Sequence, residues 1–307
     1  MFIDLCGQRR LKVGLHTHTT LSDGRKTPEE AVAIYKAAGY DAIAITDHWR
    51  YHPGGELGGL TILSGCEYNV CGIDRKSGVM ETYHIVGVGM VHQPEIPQDL
   101  LQTGPMNVKD GYIRDMVRIL VCAIRKAGGL AVLAHPAWSI NTPEQIMDCW
   151  NFDATEIYNA VSECGESDRP YSGVIVDQLA LNGKYLPLLA TDDTHHYDDD
   201  ACRGFVMVEA DAVEELGMVE AIRRGRFYAS QGPEVHLERV SPTAVRVICT
   251  PAVKIVLNTN LPWAVGHAGR GEDLTEWTYQ LDPRETFVRA EVTDTEGRVA
   301  YSNVIPL

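Results

Sequence analysis

Gly14-Leu15-His16-Thr17-His18-Thr19-Thr20-Leu21-Ser22-Asp23-Gly24 is the stretch on which the reading of this chain turns. It places two histidines and an aspartate just after a short apolar run. Side chains alternate along a strand, so His16 and His18 point to the same side and can grip one metal ion. Ser22-Asp23-Gly24 is turn chemistry, which can fold the Asp23 carboxylate back toward the same point.

The segments around this motif repeat its pattern of an apolar strand running into polar residues. Val13 to Leu15 reads as a strand. Thr27-Pro28-Glu29-Glu30 then starts a helix, with Thr27 as N-cap, Pro28 at the first helical position and Glu30 placed for a capping box; Gly39 ends it. The run Ala42 to Thr46 delivers Asp47-His48, Thr61 to Leu63 leads to Glu67, and Ile85 to Val88 follows His84. His92 to Lys109, with three prolines and little periodicity, reads as a loop able to cover a site. Tyr112 to Lys126 reads as a helix broken by Gly128-Gly129, and Leu130 to Ala134 delivers His135. Thr142-Pro143-Glu144-Gln145 repeats the capping pattern. Ala154 to Tyr158 is expected as a strand and Val174 to Leu181 as a helix. Leu186 to Ala190, another buried strand, runs into Thr191-Asp192-Asp193-Thr194-His195-His196. Continuous apolar strands of this kind are covered on both faces, and polar residues at their C-terminal ends mark the active-site side of strand-helix folds.

Past Gly232 the texture changes to alternation without comparable helices, over Val235 to Thr250, Lys254 to Asn258 and Phe287 to Val292, with a turn at Asp294-Thr295-Glu296-Gly297. We expect a strand-helix (α/β) domain over 1–232 and a small antiparallel, sandwich-like β-domain over 233–307.

Composition narrows the function. With 45% hydrophobic and 22% charged residues, the 307-residue chain can bury a sizeable core. A formal charge of -15 argues against a stable nucleic-acid complex or binding to anionic lipid, since phosphate backbones need a basic patch. Eight scattered cysteines without C-x-x-C pairs read as reduced thiols, and no signal-like N-terminal core or membrane-length apolar run is present, so a cytoplasmic protein is expected. Patterns for a G-x-S-x-G serine elbow, an H-E-x-x-H zinc helix and a phosphate-binding P-loop are all missing.

Collected, the candidate ligands are His16, His18, Asp23, His48, Glu67, His84, His135, Asp193 and His195. Any one of these histidines alone would pass as a packed or surface residue, and His52, His92, His196, His236 and His267 keep that reading. Nitrogen and oxygen donors without cysteine favour zinc, iron or manganese. Nine ligands exceed the needs of one ion, so two or three divalent ions sharing a carboxylate are expected, an arrangement suited to displacement at phosphorus.

At these residues the sequence resembles the PHP (polymerase and histidinol phosphatase) superfamily: His16-x-His18, Thr46-Asp47-His48, Glu67, His84, Ala134-His135-Pro136 and Asp193-x-His195 follow its ordered motifs from about 13 to 230. The tail, including Arg226 to Pro233, resembles the two-domain bacterial branch with a β-domain. The resemblance implies a distorted TIM-like (β/α)7 barrel and metal-dependent phosphoester hydrolysis. It also implies one ion held by His16, His18, Glu67 and Asp193, a second bridged by Glu67 to His84 and His135, and a third on Asp23, His48 and His195. Asp192 would then orient a ligand histidine. Arg203, Arg169 and Asn159 are candidates for substrate contact, and Trp49 and Trp138 for the pocket wall; Glu156 reads as an ordinary strand residue. The expected function is hydrolysis of a small phosphomonoester or short nucleotide by a metal-bound hydroxide. Acidity and modest length disfavour a polymerase-associated proofreading module. Hydrolysis of a carbamate or amide, and a metal-stabilised module that only binds, are the competing readings.

Overall fold

The helix that follows the opening motif, Pro28–Ala37, starts as its sequence dictates. Thr27 Oγ1 accepts from Glu30 N at 3.3 Å, and the Glu30 carboxylate accepts from Thr27 N at 2.9 Å. The same reciprocal pair, Thr142 with Gln145, opens Pro143–Cys149. These details come from a computed structural model that describes residues 2–74, 76–97, 113–149, 151–164 and 167–307. Most of the stretch read as a loop over 92–109, together with Tyr112 and Trp150, lies outside the described residues.

The apolar runs form strands in two sheets. In the first, Leu188–Thr191, Ala154–Asn159 and Leu130–Leu133 lie parallel and fully buried, as their continuous hydrophobicity requires. The antiparallel pair Met80–Val88 and Gly65–Ile73 completes it. In the second, Arg9–Gly14 pairs in parallel with Ala42–Ala44, which pairs in parallel with Leu60–Leu63. The amphipathic helix Ile113–Lys126 covers the first sheet with Ile113, Val117, Leu120 and Ile124, all buried.

Among the described residues the hydrogen-bonded ladders do not run round one closed barrel. The sheets meet instead at isolated parallel bridges, Thr17 to Thr194 and His48 to Glu67. The chain is therefore a mixed α/β fold whose two sheets touch beside the expected ligands.

Beyond 232 the strands are antiparallel, as the alternation predicts. Their ladder does not stop at the proposed boundary, however. The strand Phe227–Ser230 pairs with the tail strand Val299–Tyr301, Ala229 opposite Tyr301 and Ser230 opposite Ala300. The tail is thus hydrogen-bonded into the second sheet. No described helix is long and apolar enough to cross a membrane.

One charged side chain fastens the tail to the rest. Arg289, on the strand Phe287–Thr293, is fully buried. Its guanidinium reaches Asp177 of the helix Gly173–Leu181 through two bonds of 2.7 and 2.9 Å, and also meets Glu291 and the Tyr171 hydroxyl. Removing one partner of a buried pair strands the other charges. Arg289→Met is expected to destabilise the fold by about 3 kcal/mol, the low end for a broken buried pair because the carboxylates keep some exposure; urea unfolding monitored by circular dichroism checks this.

Candidate metal centre

The expected ligands other than Asp23, which lies on an exposed turn, are delivered by buried elements. His16 and His18 follow the strand Arg9–Gly14, and the bonds Asp193 N to His16 O and His18 N to Thr194 O, both 3.0 Å, lock them against the segment bearing Asp193 and His195. Thr46 N donates to Thr17 O at 2.8 Å, which brings the turn bearing His48 alongside. His135 follows Leu130–Leu133, where Ala134 N donates to His84 O. Glu67 and His84 depart from the strand-end pattern: both sit inside the antiparallel pair, Glu67 opposite Val86 and His84 opposite Asn69. A reversed strand presents mid-strand side chains where a parallel strand would present its end. His135 and Asp193 hold positive φ, 27° and 52°, a conformation that non-glycine residues adopt at functional sites at a cost.

The nine side chains converge in three groups whose ligand atoms lie within 4.8 Å of one another: His16, His18, Glu67 and Asp193; Glu67, His84 and His135; and His18, Asp23, His48 and His195. In the first, the Nε2 atoms of His16 and His18 both stand 3.1 Å from Asp193 Oδ1, and His18 Nε2 is 3.0 Å from Glu67 Oε2. In the second, His84 Nδ1 and His135 Nε2 lie 2.9 and 3.7 Å from Glu67 Oε1. In the third, Asp23 lies 3.5 Å from both His18 Nδ1 and His195 Nε2, and 3.6 Å from His48 Nε2. His18 therefore faces two groups, one with each ring nitrogen, where the resemblance implied only one.

The donor set fits cations. Glu67 Oε2, Asp193 Oδ1 and His48 Nδ1 are buried with no hydrogen-bond partner, an arrangement that is costly unless a positive charge lies between them. A further grouping, Asp4, Cys6 and His236, does not fit, because Arg10 Nε already bonds Asp4 at 2.6 Å.

The charges are strongly coupled. Burial works against the imidazolium form of His16, yet Asp193, Glu67 and Glu156 hold its pKa well above the ordinary value. Burial likewise opposes the charge of His18, but the carboxylates of Asp193 and Glu67 beside it push it up to about 9. For His48 burial prevails and brings it down to about 4. Burial also opposes the charge of Glu67, yet His16, His84 and His135 hold it well below the usual carboxylate range.

The surrounding residues correct several expectations. Asp192 orients no ligand histidine; it accepts from Tyr35 Oη and from the backbone amides of Cys202, Arg203 and Gly204, and so shapes the loop after the ligands. Burial pushes it up to about 6. Arg203 turns away to Glu163, at 2.6 Å. Arg169 is exposed, with its backbone amide on Ser162 O. Asn159 is buried rather than facing the cleft, with its amide on Glu156 and Asp193 and its oxygen on Ser162. Trp49 bonds Asn69 through Nε1 and packs on Tyr68, whereas Trp138 lies edge-on to the rings of His135 and His84, at 4.9 and 5.6 Å, and lines the cleft.

The roles of three carboxylates next to the ligands escape the sequence reading. Glu156 is buried against His16 and the backbone of His135. Asp200 accepts from the amides of His195, His196 and Tyr197. Asp47 holds Thr19 and Ser22, which shape the loop carrying Asp23. For Glu156, a lone acid inside an otherwise apolar strand is the available signal, since burying such a group requires partners. The cluster opens into a cleft of about 410 Å³ whose other walls include Asn69, Trp138, Val161, Ser162, Ser167 and His196.

Residues 14–199 match the PHP domain family. No curated relative matches the chain. Among solved structures, it is similar to a two-domain protein from Bacteroides vulgatus described as containing a predicted PHP-like metal-dependent phosphoesterase. That likeness has 17% identity and a TM-score of 0.50, and covers 99% of this chain and 98% of that one. A second similar structure is an amidohydrolase from Chromobacterium violaceum, at 19% identity and a TM-score of 0.41, covering 61% of this chain and 89% of that one.

An ion entering this cluster must displace the proton that His18 keeps up to about 9. Zinc affinity of the chelator-stripped protein is therefore expected to rise with pH and level off above that value, as calorimetric titration across the range will read. Gly24 lets the Asp23 loop lie against the carbonyl of His18, where an added Cβ would stand 2.4 Å from the oxygen. Gly24→Ala is expected to displace Asp23 and cost about tenfold in affinity for zinc at the group that contains it, with less effect on the rest of the cluster; stoichiometric zinc titration checks this.

Proposed function

Given that the chain belongs to the PHP domain family, we propose that it is a metal-dependent phosphoesterase acting on a small phosphomonoester or short nucleotide. The observation that carries this reading is the convergence of nine imidazole and carboxylate side chains, with buried unpartnered atoms among them, at the floor of an open cleft. We read the two sheets as the sides of a distorted barrel with this cluster at one end.

His16, His18, Glu67 and Asp193 would hold one ion, Glu67, His84 and His135 a second, and Asp23, His48 and His195 a third, with His18 shared. Oxygen and imidazole donors suit zinc, iron or manganese. When bound, such ions supply Lewis acidity that activates a water and neutralises charge on the phosphoryl oxygens. The chain's own residues do the rest. Glu67 turns Oε2 toward His16 and His18 and Oε1 toward His84 and His135, so one carboxylate would serve both groups. Buried His16 and His18 keep bulk water from the inner face of the cluster, while Asp23 and His195, more exposed, stand toward the cleft where substrate enters. Trp138 and Val161 offer an apolar wall to the alcohol portion of the ester, and Ser167 and Asn69 offer hydrogen bonds.

Phosphate release from a panel of nucleotides and sugar phosphates tests the reading. Activity is expected in the metal-loaded protein and is expected to vanish with chelator. Asp193→Asn or His84→Ala should lower kcat/KM by more than about 100-fold, since loss of a ligand's supporting partner alone costs about 10–100-fold. Turnover of aryl carbamates with no phosphoester turnover would overturn it.

A further inference from the structure

Glu156 is the carboxylate best connected to the cluster without belonging to it. It lies mid-strand on Ala154–Asn159 with its side chain 1% exposed. Oε1 accepts from His16 Nδ1 at 2.7 Å. Oε2 accepts from the backbone amide of His135 at 2.8 Å and from Asn159 Nδ2 at 2.8 Å, and the same Asn159 nitrogen reaches Asp193 Oδ2 at 3.1 Å. One side chain thus touches the imidazole of one ligand, the backbone of a second and, through Asn159, the carboxylate of a third. Its hydrogen bonds reach none of Asp23, His48 and His195.

A carboxylate only accepts, so in the neutral imidazole, the form that can ligate, the proton on His16 must sit at Nδ1. That leaves the Nε2 lone pair free, and Nε2 is the atom facing Asp193 and Glu67. The second oxygen fixes the backbone at His135, where φ is positive and the chain would otherwise relax. We infer that Glu156 is the positioning residue of this centre: it sets the ligating tautomer of His16 and, through its other oxygen and Asn159, fixes His135 and Asp193 in the same frame. The inference rests on the reading of the cluster as a metal centre.

The amide isostere exposes this role. In Glu156→Gln, an amide oxygen turned toward His16 leaves the NH2 facing two donors, the His135 amide and Asn159. Turned the other way, the NH2 faces His16 Nδ1 and forces its proton onto Nε2, away from the metal-binding tautomer. Both orientations weaken the two positions that use His16, His135 and Asp193, and both spare the position built on Asp23, His48 and His195.

The test is zinc titration of the chelator-stripped wild type and Glu156→Gln, together with ring 15N resonances of His16 in the zinc-loaded proteins. Supporting partners of ligands contribute about 10–100-fold in affinity. The variant is expected to lose that much at two positions, to keep the third, and to show a His16 proton moved from Nδ1 or an imidazole no longer ligated. Wild-type affinity with the proton still on Nδ1 overturns the role of Glu156. If the variant does not fold, Asn159→Ala carries the test: it keeps Glu156 in place and is expected to lose about tenfold at the Asp193 position, and unchanged affinity there overturns the inference. A wild-type protein that takes up zinc but hydrolyses no phosphoester leaves this result standing and defeats only the proposed reaction; one that takes up no zinc defeats both.

Discussion

A fully buried carboxylate surrounded by imidazoles governs this molecule. Glu67 has side-chain nitrogens of His84, His18, His48, His16 and His135 at 2.9, 3.0, 3.1, 3.3 and 3.7 Å. An isolated charge so placed would cost several kcal/mol, and compensating it requires that segments distant in sequence be brought to one point. The bonds between segments that carry ligands serve that end: His18 with Thr194, Thr46 with Thr17 and Ala134 with His84. The cluster is therefore a constraint on folding as well as a site.

Much of this is legible because local chemistry and global fold agree. Thr27-Pro28-Glu29-Glu30 specifies its own helix start, and Leu130 to Ala134 has one reading as a buried strand. The ligand set can be read because its members recur after apolar runs. What stays hidden depends on geometry that no local pattern carries. Nothing near Glu67 or His84 announces that their strands run antiparallel, and although the D-x-H spacing selects Asp193 as the inward acid, nothing says that Asp192 holds the amides of 202–204. Glu156 stays unremarkable in sequence because its partners, His16 and His135, are 140 and 21 residues away.

The tail illustrates a different limit. Alternation in Phe287–Thr293 predicts a strand, yet it cannot reveal that Arg289 on that strand will be buried against Asp177. Tyr171, which also meets this guanidinium, neighbours Pro170, whose carbonyl accepts from Asn159 N at 3.1 Å. A continuous set of contacts therefore runs from the tail to Asn159, whose side chain bonds Asp193.

The two sheets touch at the bridges Thr17 to Thr194 and His48 to Glu67, and each bridge lies on or beside a ligand. Ions seated there would act as rivets across a seam. Whatever binding energy they contribute also holds the halves of the molecule together, so stability and loading become one thermodynamic quantity. Backbone bonds such as His18 N to Thr194 O and Trp49 N to Glu67 O already cross the seam, so ions seated there would reinforce a junction that leaves the strand ends open toward the cleft.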